Sequence, residues 1–203
     1  IAADNATRQA SVERWLLLAL VPALAVSALL FAITLGPRRD IALVATQIPF
    51  LFKFVVTLTL ALTATVLVLR LARPAAEARL AAIALTAAPL LVISAVIVEL
   101  IAVEPGARSM KLVGTTWLSC LAFIPLLSAP LLAAALIALR HGAPTRPALA
   151  GSVAGLVAGG LGATIYAAYC IEDSPLFLAT WYTLAIAIVS IVGAAVGSRA
   201  LRW

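Results

Sequence analysis

Two cysteines, Cys120 and Cys170, are the residues of this 203-residue sequence best suited to chemistry. A deprotonated thiol is a nucleophile, a soft metal ligand and half of a disulfide, and the last two uses need a pair. Their placement follows from nearby basic residues. Counting 20 positions back from Arg140 reaches Cys120, and counting 20 forward from Ala150, four residues beyond Arg146, reaches Cys170. At ~1.5 Å per helical residue both sulfurs stand about 30 Å from the level of those arginines, so consecutive antiparallel helices carry them at one height. Two readings are open at this point. The pair is either two small packing residues or a thiol pair that meets an oxidising compartment and can close a disulfide. Glu172 and Asp173 follow Cys170 directly and would add oxygen ligands to a soft-metal site, although two sulfurs alone specify no metal.

Other reactive types are sparse. The single histidine, His141, sits in the segment Arg140 to Pro144 with no second histidine or nearby cysteine, a poor metal site and no recognisable triad. No dinucleotide fingerprint, phosphate-binding loop or HExxH motif occurs, so no cofactor and no enzymatic activity are expected. Lys53 and Glu99 are the ionisable groups deepest within apolar runs. Both fall near helix ends, where an ion pair or snorkelling is favoured over a translocation role. Glu99, Glu172 and Asp173 are the acids expected beside the thiols.

The elements that position these residues follow from composition. The chain is 65% hydrophobic and 11% charged, against roughly half and a quarter in soluble domains. This excludes a soluble globular domain, a disordered chain and a disulfide scaffold. The expected fold is an all-α integral membrane protein with six transmembrane helices, over residues 15–35, 49–71, 80–101, 112–139, 148–170 and 176–197. Residues 1–14 read as the remnant of a cytoplasmic N-terminal segment. The fourth run is long for a bilayer at about 42 Å of helix; it must tilt, project beyond the hydrocarbon, or kink at Pro125 and Pro130.

An even number of spans places both termini on one side. That side holds Arg8, Arg14, Arg70, Arg73, Arg79, Arg140, Arg146, Arg199 and Arg202 against Asp4, Glu13 and Glu77. The other holds Arg38, Arg39, Lys53, Arg108 and Lys111 against Asp40, Glu99, Glu104, Glu172 and Asp173. The whole net charge of +6 therefore falls on one face, which the positive-inside rule makes cytoplasmic. The bases anchor topology, and no direct contact with nucleic acid is expected. Gly151, Gly155 and Gly159 recur every four residues on the fifth span, and Gly193 and Gly197 do so on the sixth. Such faces let backbones approach closely, here inside the bundle in preference to a dimer interface.

The C-terminal half also resembles a known family. The residues that carry the likeness are Trp117 to Cys120, Leu139 to Pro144 with Pro147, Ala150 to Gly155 with Gly159, Tyr169 to Pro175, Phe177, Trp181-Tyr182 and Arg199 to Trp203. Together, over about residues 112–203, they resemble the NrsF-type (negative regulator of sigma F) bacterial inner-membrane proteins; the likeness is weaker over the first three spans. The resemblance implies a six-helix anti-sigma factor in the bacterial inner membrane. It would hold an extracytoplasmic-function sigma factor on the cytoplasmic side and release it under stress. It also implies that Cys120 and Cys170 are a periplasmic pair sensing redox or heavy-metal signals. The alternatives are a small transporter or channel, which would show midplane polar groups or an inverted repeat, and a thiol-active membrane oxidoreductase, which would show a CxxC-like poise.

Overall fold

The computed structural model describes residues 2–73 and 77–201, with side chains from Val12 onward. Asp4 and Arg8, and the terminal Arg202 and Trp203, lie outside the described side chains. Every regular element among the described residues is helical. Helix α1 (Ala2–Thr34) is continuous through residues 2–14 into the first apolar run. It stops at Gly36, whose φ of 68° is open to glycine and whose amide, with that of Leu35, donates back to the Phe31 carbonyl. Pro37 follows and cannot continue the helix. A short α2 (Ile41–Val44) leads to α3 (Ile48–Leu71), which opens with proline in its first turn.

The third run is split into α4 (Arg79–Ala84) and α5 (Ala87–Ala102). Pro89 is the cause: it has no N–H to give to the Leu85 carbonyl four residues earlier. The fourth run is divided as well, into α6 (Pro105–Val113) and α7 (Trp117–Leu139). The expected single helix over 112–139 thus gives way to a turn at Gly114. Its φ is 60°, and a Cβ there would lie 2.6 Å from the Phe177 ring. Helix α7 passes Pro125 and Pro130 without ending. Its 23 residues span roughly 35 Å, so the excess length is relieved at the turn and not at the prolines.

Helix α8 (Pro147–Ala167) is followed by an irregular stretch, α9 (Pro175–Phe177), a π-helical turn (Leu178–Tyr182) and α10 (Thr183–Ala200). Taken as continuous runs, six helical stretches are long and apolar enough to cross a membrane. Helix α8 is central, packed against α3, α7 and α10, while α1 lies along α7.

Small residues make this packing. A Cβ on Gly155 would stand 2.5 Å from Ser190 Cα and 2.7 Å from the Val189 carbonyl oxygen; one on Gly151 would land on the Gly193 carbonyl, and one on Gly193 on that of Gly151. Gly159 faces Ile186 and Gly197 faces Gly151. All five glycines of the four-residue pattern therefore turn toward the α8–α10 contact, where Ser152 and Ser190 also share a hydrogen bond of 2.8 Å. The opposite faces of the outer helices are apolar and uncovered: Leu17, Val21 and Ile33 of α1 and Leu90 and Val98 of α5 are at least 60% exposed.

Candidate functional site

The fifth run ends earlier than expected. Helix α8 stops at Ala167, so Cys170 lies beyond it and not at its last turn. Its final carbonyls are taken by neighbours that end the helix: the Arg38 amide donates to the Ala168 carbonyl at 3.0 Å, and the Lys53 ammonium donates to the Cys170 carbonyl at 2.8 Å. Cations at a helix C-terminus are favoured by its partial negative charge. The segment 170–174 then runs without regular structure to Pro175.

This turn places Cys170 against Cys120, which sits in the first turn of α7. Both thiols are free and fully buried. Hydrogen bonding from the Cys120 thiol to the charged form, with the nearby Lys53 ammonium, outweighs burial and lowers the Cys170 thiol to about 6, and the Cys170 sulfur lies 3.8 Å from the Glu172 carbonyl oxygen. The Cys170 sulfur also meets the Thr116 hydroxyl at 3.8 Å. Thr116 occupies the N-cap position of α7, at the positive end of that helix's dipole, which favours a thiolate.

Two phenols complete the enclosure. Tyr166 and Tyr182 are buried, their rings 5.8 Å apart at 60°. Their hydroxyls have no hydrogen-bond partner within ordinary distance. Tyr166 lies beside Cys120 and Tyr182 beside Cys170. A buried hydroxyl left unpaired costs roughly 1–3 kcal/mol, so native proteins keep few of them. The π turn brings Tyr182 to this position: an extra residue in the turn sends Tyr182 inward, while Trp181 stays at the edge with its Nε1 donating to the Leu112 carbonyl at 2.8 Å.

A charged clamp closes over the thiols. Lys53, 2% exposed, pairs with Asp173 at 2.6 Å. Arg38 pairs with Asp173 at 3.0 Å and with Asp40 at 2.7 Å, and its Nη1 reaches the Cys170 carbonyl at 3.3 Å. The Arg38 guanidinium, hydrogen-bonded to Asp40, holds that carboxyl below the usual carboxylate range, and Arg38 is itself stabilised as a cation by the same bond. Both cations lie over the Phe50 ring, at 5.2 Å for Lys53 and 5.9 Å for Arg38. Glu172 accepts from the Thr115 amide and hydroxyl, each at 2.8 Å, tying the segment to the entrance of α7. Glu99 accepts from Ser174 at 2.8 Å and from the Leu176 amide at 2.9 Å, and pairs with Lys111 at 3.2 Å.

Lys53 and Glu99 therefore do form ion pairs, but not with each other, and Lys53 is buried where the sequence suggested a snorkelling end. Glu99, Glu172 and Asp173 all hold the 170–176 segment, while none is a ligand to a sulfur. Among the described residues no group of three or more His, Cys, Asp or Glu side chains is gathered to hold a metal ion. His141 lies elsewhere, its ring stacked on Trp15 at 4.3 Å.

With this geometry in place, the comparison with known proteins is decisive for kinship. The family described as "NrsF: Negative regulator of sigma F" matches residues 1–203. The chain belongs to the NrsF family. A relative in Azospira oryzae, "Probable anti-sigma-F factor NrsF", is 38% identical over 175 residues, 86% of this chain and 82% of that one. Another, "Anti-sigma-F factor NrsF" of Caulobacter vibrioides, is 46% identical over 90 residues, 44% of this chain and 42% of its own. No solved structure matches significantly. The likeness read from the C-terminal half thus extends over residues 1–203, first three runs included.

Sequence reasoning missed several members of the site in this NrsF chain. Arg38 and Asp40 entered only as charges to be counted, and Thr115, Thr116, Tyr166 and Tyr182 not as site residues at all. A signal existed for Lys53: a lysine inside an apolar helix needs a buried partner, and the acids after Cys170 were the nearest supply on the same side.

Proposed function

We propose that this chain is a multi-pass membrane anti-sigma factor whose thiol pair, Cys120 and Cys170, reads a redox signal on the outer face of the bacterial inner membrane. The relatives' names carry the anti-sigma role. The single observation that carries the sensing is the arrangement of two free thiols in contact, both buried, on separate structural elements. Disulfide formation between them would join the entrance of α7 to the segment leaving α8, two parts now held together by hydrogen bonds and apolar packing. Six apolar helices with uncovered apolar faces support insertion in a bilayer, and the balanced charges at the thiol end against the basic excess at the other support cytoplasmic termini.

The partner is an extracytoplasmic-function sigma factor held from the cytoplasmic side. There the opposite end of the bundle is tied by Arg73 to Glu13 at 2.7 Å, by Arg140 to the Ala200 carbonyl at 3.2 Å, and by the Ala143 amide to the Ala72 carbonyl at 3.1 Å. Sensing is then a covalent change at one end of a packed bundle that biases the grip at the other. The test is Cys120→Ser with Cys170→Ser in cells carrying a sigma-dependent reporter. Repression should persist and induction by oxidant should vanish; normal induction in the double variant would sink the reading.

A further inference from the structure

The two sulfurs stand in unlike surroundings. Cys170 lies outside any helix, its sulfur 3.8 Å from the hydroxyl of Thr116 at the start of α7 and its own carbonyl held by Lys53. Cys120 lies within the first turn of α7; both thiols border one apolar cluster with Ile124 and Tyr166, and the two interact with each other. The charged and titratable groups facing Cys170 are Lys53 of α3, Arg38 of the α1–α2 connection, Glu172 and Asp173 of its own segment, Cys120 of α7, Tyr166 of α8 and Tyr182 of the π turn. The cations and the helix dipole favour a negative sulfur there. The Tyr182 hydroxyl is buried without a hydrogen bond of ordinary geometry and lies within electrostatic reach of the same sulfur, which leaves a donor for an oxygen bound to Cys170.

Resting on the sensor reading above, we propose a division of labour in which Cys170 is the attacking thiol and Cys120 the resolving thiol toward hydrogen peroxide, with the Tyr182 hydroxyl donating to the oxygen delivered to Cys170. The oxidant class follows from burial: both sulfurs are fully enclosed, so small molecules such as peroxide, dimedone or iodoacetamide reach them through brief openings of the 170–174 segment, and a protein disulfide does not. The Cys170 thiolate attacks one peroxide oxygen; the S–O bond forms, the O–O bond breaks, and the departing hydroxide takes a proton to become water. Cys170 is then a sulfenic acid whose oxygen accepts from Tyr182. Cys120 attacks that sulfur; the S–S bond forms, the S–O bond breaks, and the hydroxyl leaves with the Cys120 proton as a second water. Two thiols lose two electrons and two protons, and one peroxide becomes two waters.

The test uses the reduced full chain in lipid nanodiscs, treated with hydrogen peroxide in the presence of dimedone and read by mass spectrometry. Cys120→Ser should accumulate the dimedone adduct on Cys170, and Cys170→Ser should show at least tenfold less adduct on Cys120; Cys120→Ala and Cys170→Ala repeat the comparison with a different replacement. Tyr182→Phe should slow disulfide formation about tenfold while iodoacetamide alkylation of Cys170 is unchanged. Adducts on Cys120 at equal or greater yield overturn the assignment of roles, and a Tyr182→Phe variant that slows alkylation and peroxide reaction alike overturns the donor role. Failure of the sensor reading shows separately: the adduct pattern would hold in nanodiscs while cells lacking both thiols still induce.

Discussion

Replacing Lys53 with methionine removes the centre of the clamp while keeping most of its volume. The ammonium makes a 2.6 Å ion pair with Asp173 and a 2.8 Å hydrogen bond to the Cys170 carbonyl, at 2% exposure. Removing one partner of a fully buried pair costs about 3–5 kcal/mol. Here the loss is smaller, because Asp173 is 22% exposed and keeps Arg38 at 3.0 Å, and the Cys170 carbonyl keeps Arg38 at 3.3 Å. A local cost of about 2–3 kcal/mol remains, or roughly 30- to 150-fold in an opening equilibrium. Amide hydrogen exchange of residues 170–174 in nanodiscs reads it directly, and should accelerate by that factor with the core of α8 unaffected. Asp173→Asn should lose part of the same energy, so the double variant falls short of additivity by about 1–2 kcal/mol. If Lys53→Met leaves exchange of this segment within threefold of the parent, the clamp is not what holds Cys170 in place and the reasoning fails.

Three further outcomes follow from the same geometry. Alkylation of Cys170 by iodoacetamide should rise with a midpoint near pH 6 in place of the ordinary 9.0; because the folded value is the lower one, the thiolate's contribution to stability is complete above 9.0 and fades as pH falls through 6, and a midpoint above 8 contradicts the site's electrostatics. Gly155→Leu, driven into Ser190 and Val189, should lower thermal stability in detergent by about 3 kcal/mol or more, whereas Gly106→Leu, which meets nothing within 4 Å, should stay within about 0.5 kcal/mol; equal effects would refute the close α8–α10 approach. Disulfide formation should speed exchange of the Ala143 amide on the order of tenfold, since its bond to Ala72 lies at the far end of the bundle; a change confined to residues 168–174 would mean that the signal stays local.

The six apolar runs were legible because lipid demands about 20 apolar residues per span and nothing else in the chain competes with that pattern. The heights of Cys120 and Cys170 were legible too, since rise per residue converts spacing to distance. What escaped were the places where one side chain ends another element. The stop at Ala167 depends on Arg38 and Lys53, more than 110 residues earlier in the chain, reaching the Ala168 and Cys170 carbonyls just beyond it. No local pattern in Tyr169 to Pro175 reports that. The break at Gly114 depends likewise on the Phe177 ring lying against it, and the inward turn of Tyr182 on a π register that hydropathy does not encode. The pairing of Lys53 with Asp173 was out of reach for the same reason: periodicity assigns a residue to a level, while its partner is chosen by which helices are neighbours.

That neighbourhood also decides which element would move when the thiols join. A disulfide of ~2.05 Å is at least ~1.4 Å shorter than a non-bonded contact, so one sulfur must travel. Cys170 is held through its backbone by two cations anchored on other elements, whereas the Cys120 side of the contact is the entrance of α7. Helix α7 approaches α8 closely at Ser128, whose amide nitrogen would be 3.0 Å from a Cβ on Gly162, and a contact that tight serves as a pivot. From Cys120 to Ser128 is about 12 Å of helix, and from Ser128 to Leu139 about 16 Å. Closing the thiol end by ~1.4 Å therefore swings the Leu139 end by roughly 2 Å. The Ala143–Ala72 bond of 3.1 Å, just beyond that end, has only ~0.1–0.4 Å of slack before it ceases to be a hydrogen bond. A lever of this length makes the loop at the end far from the thiols the weak point of the oxidised bundle, which under the proposed function is where an anti-sigma factor would need to loosen its hold.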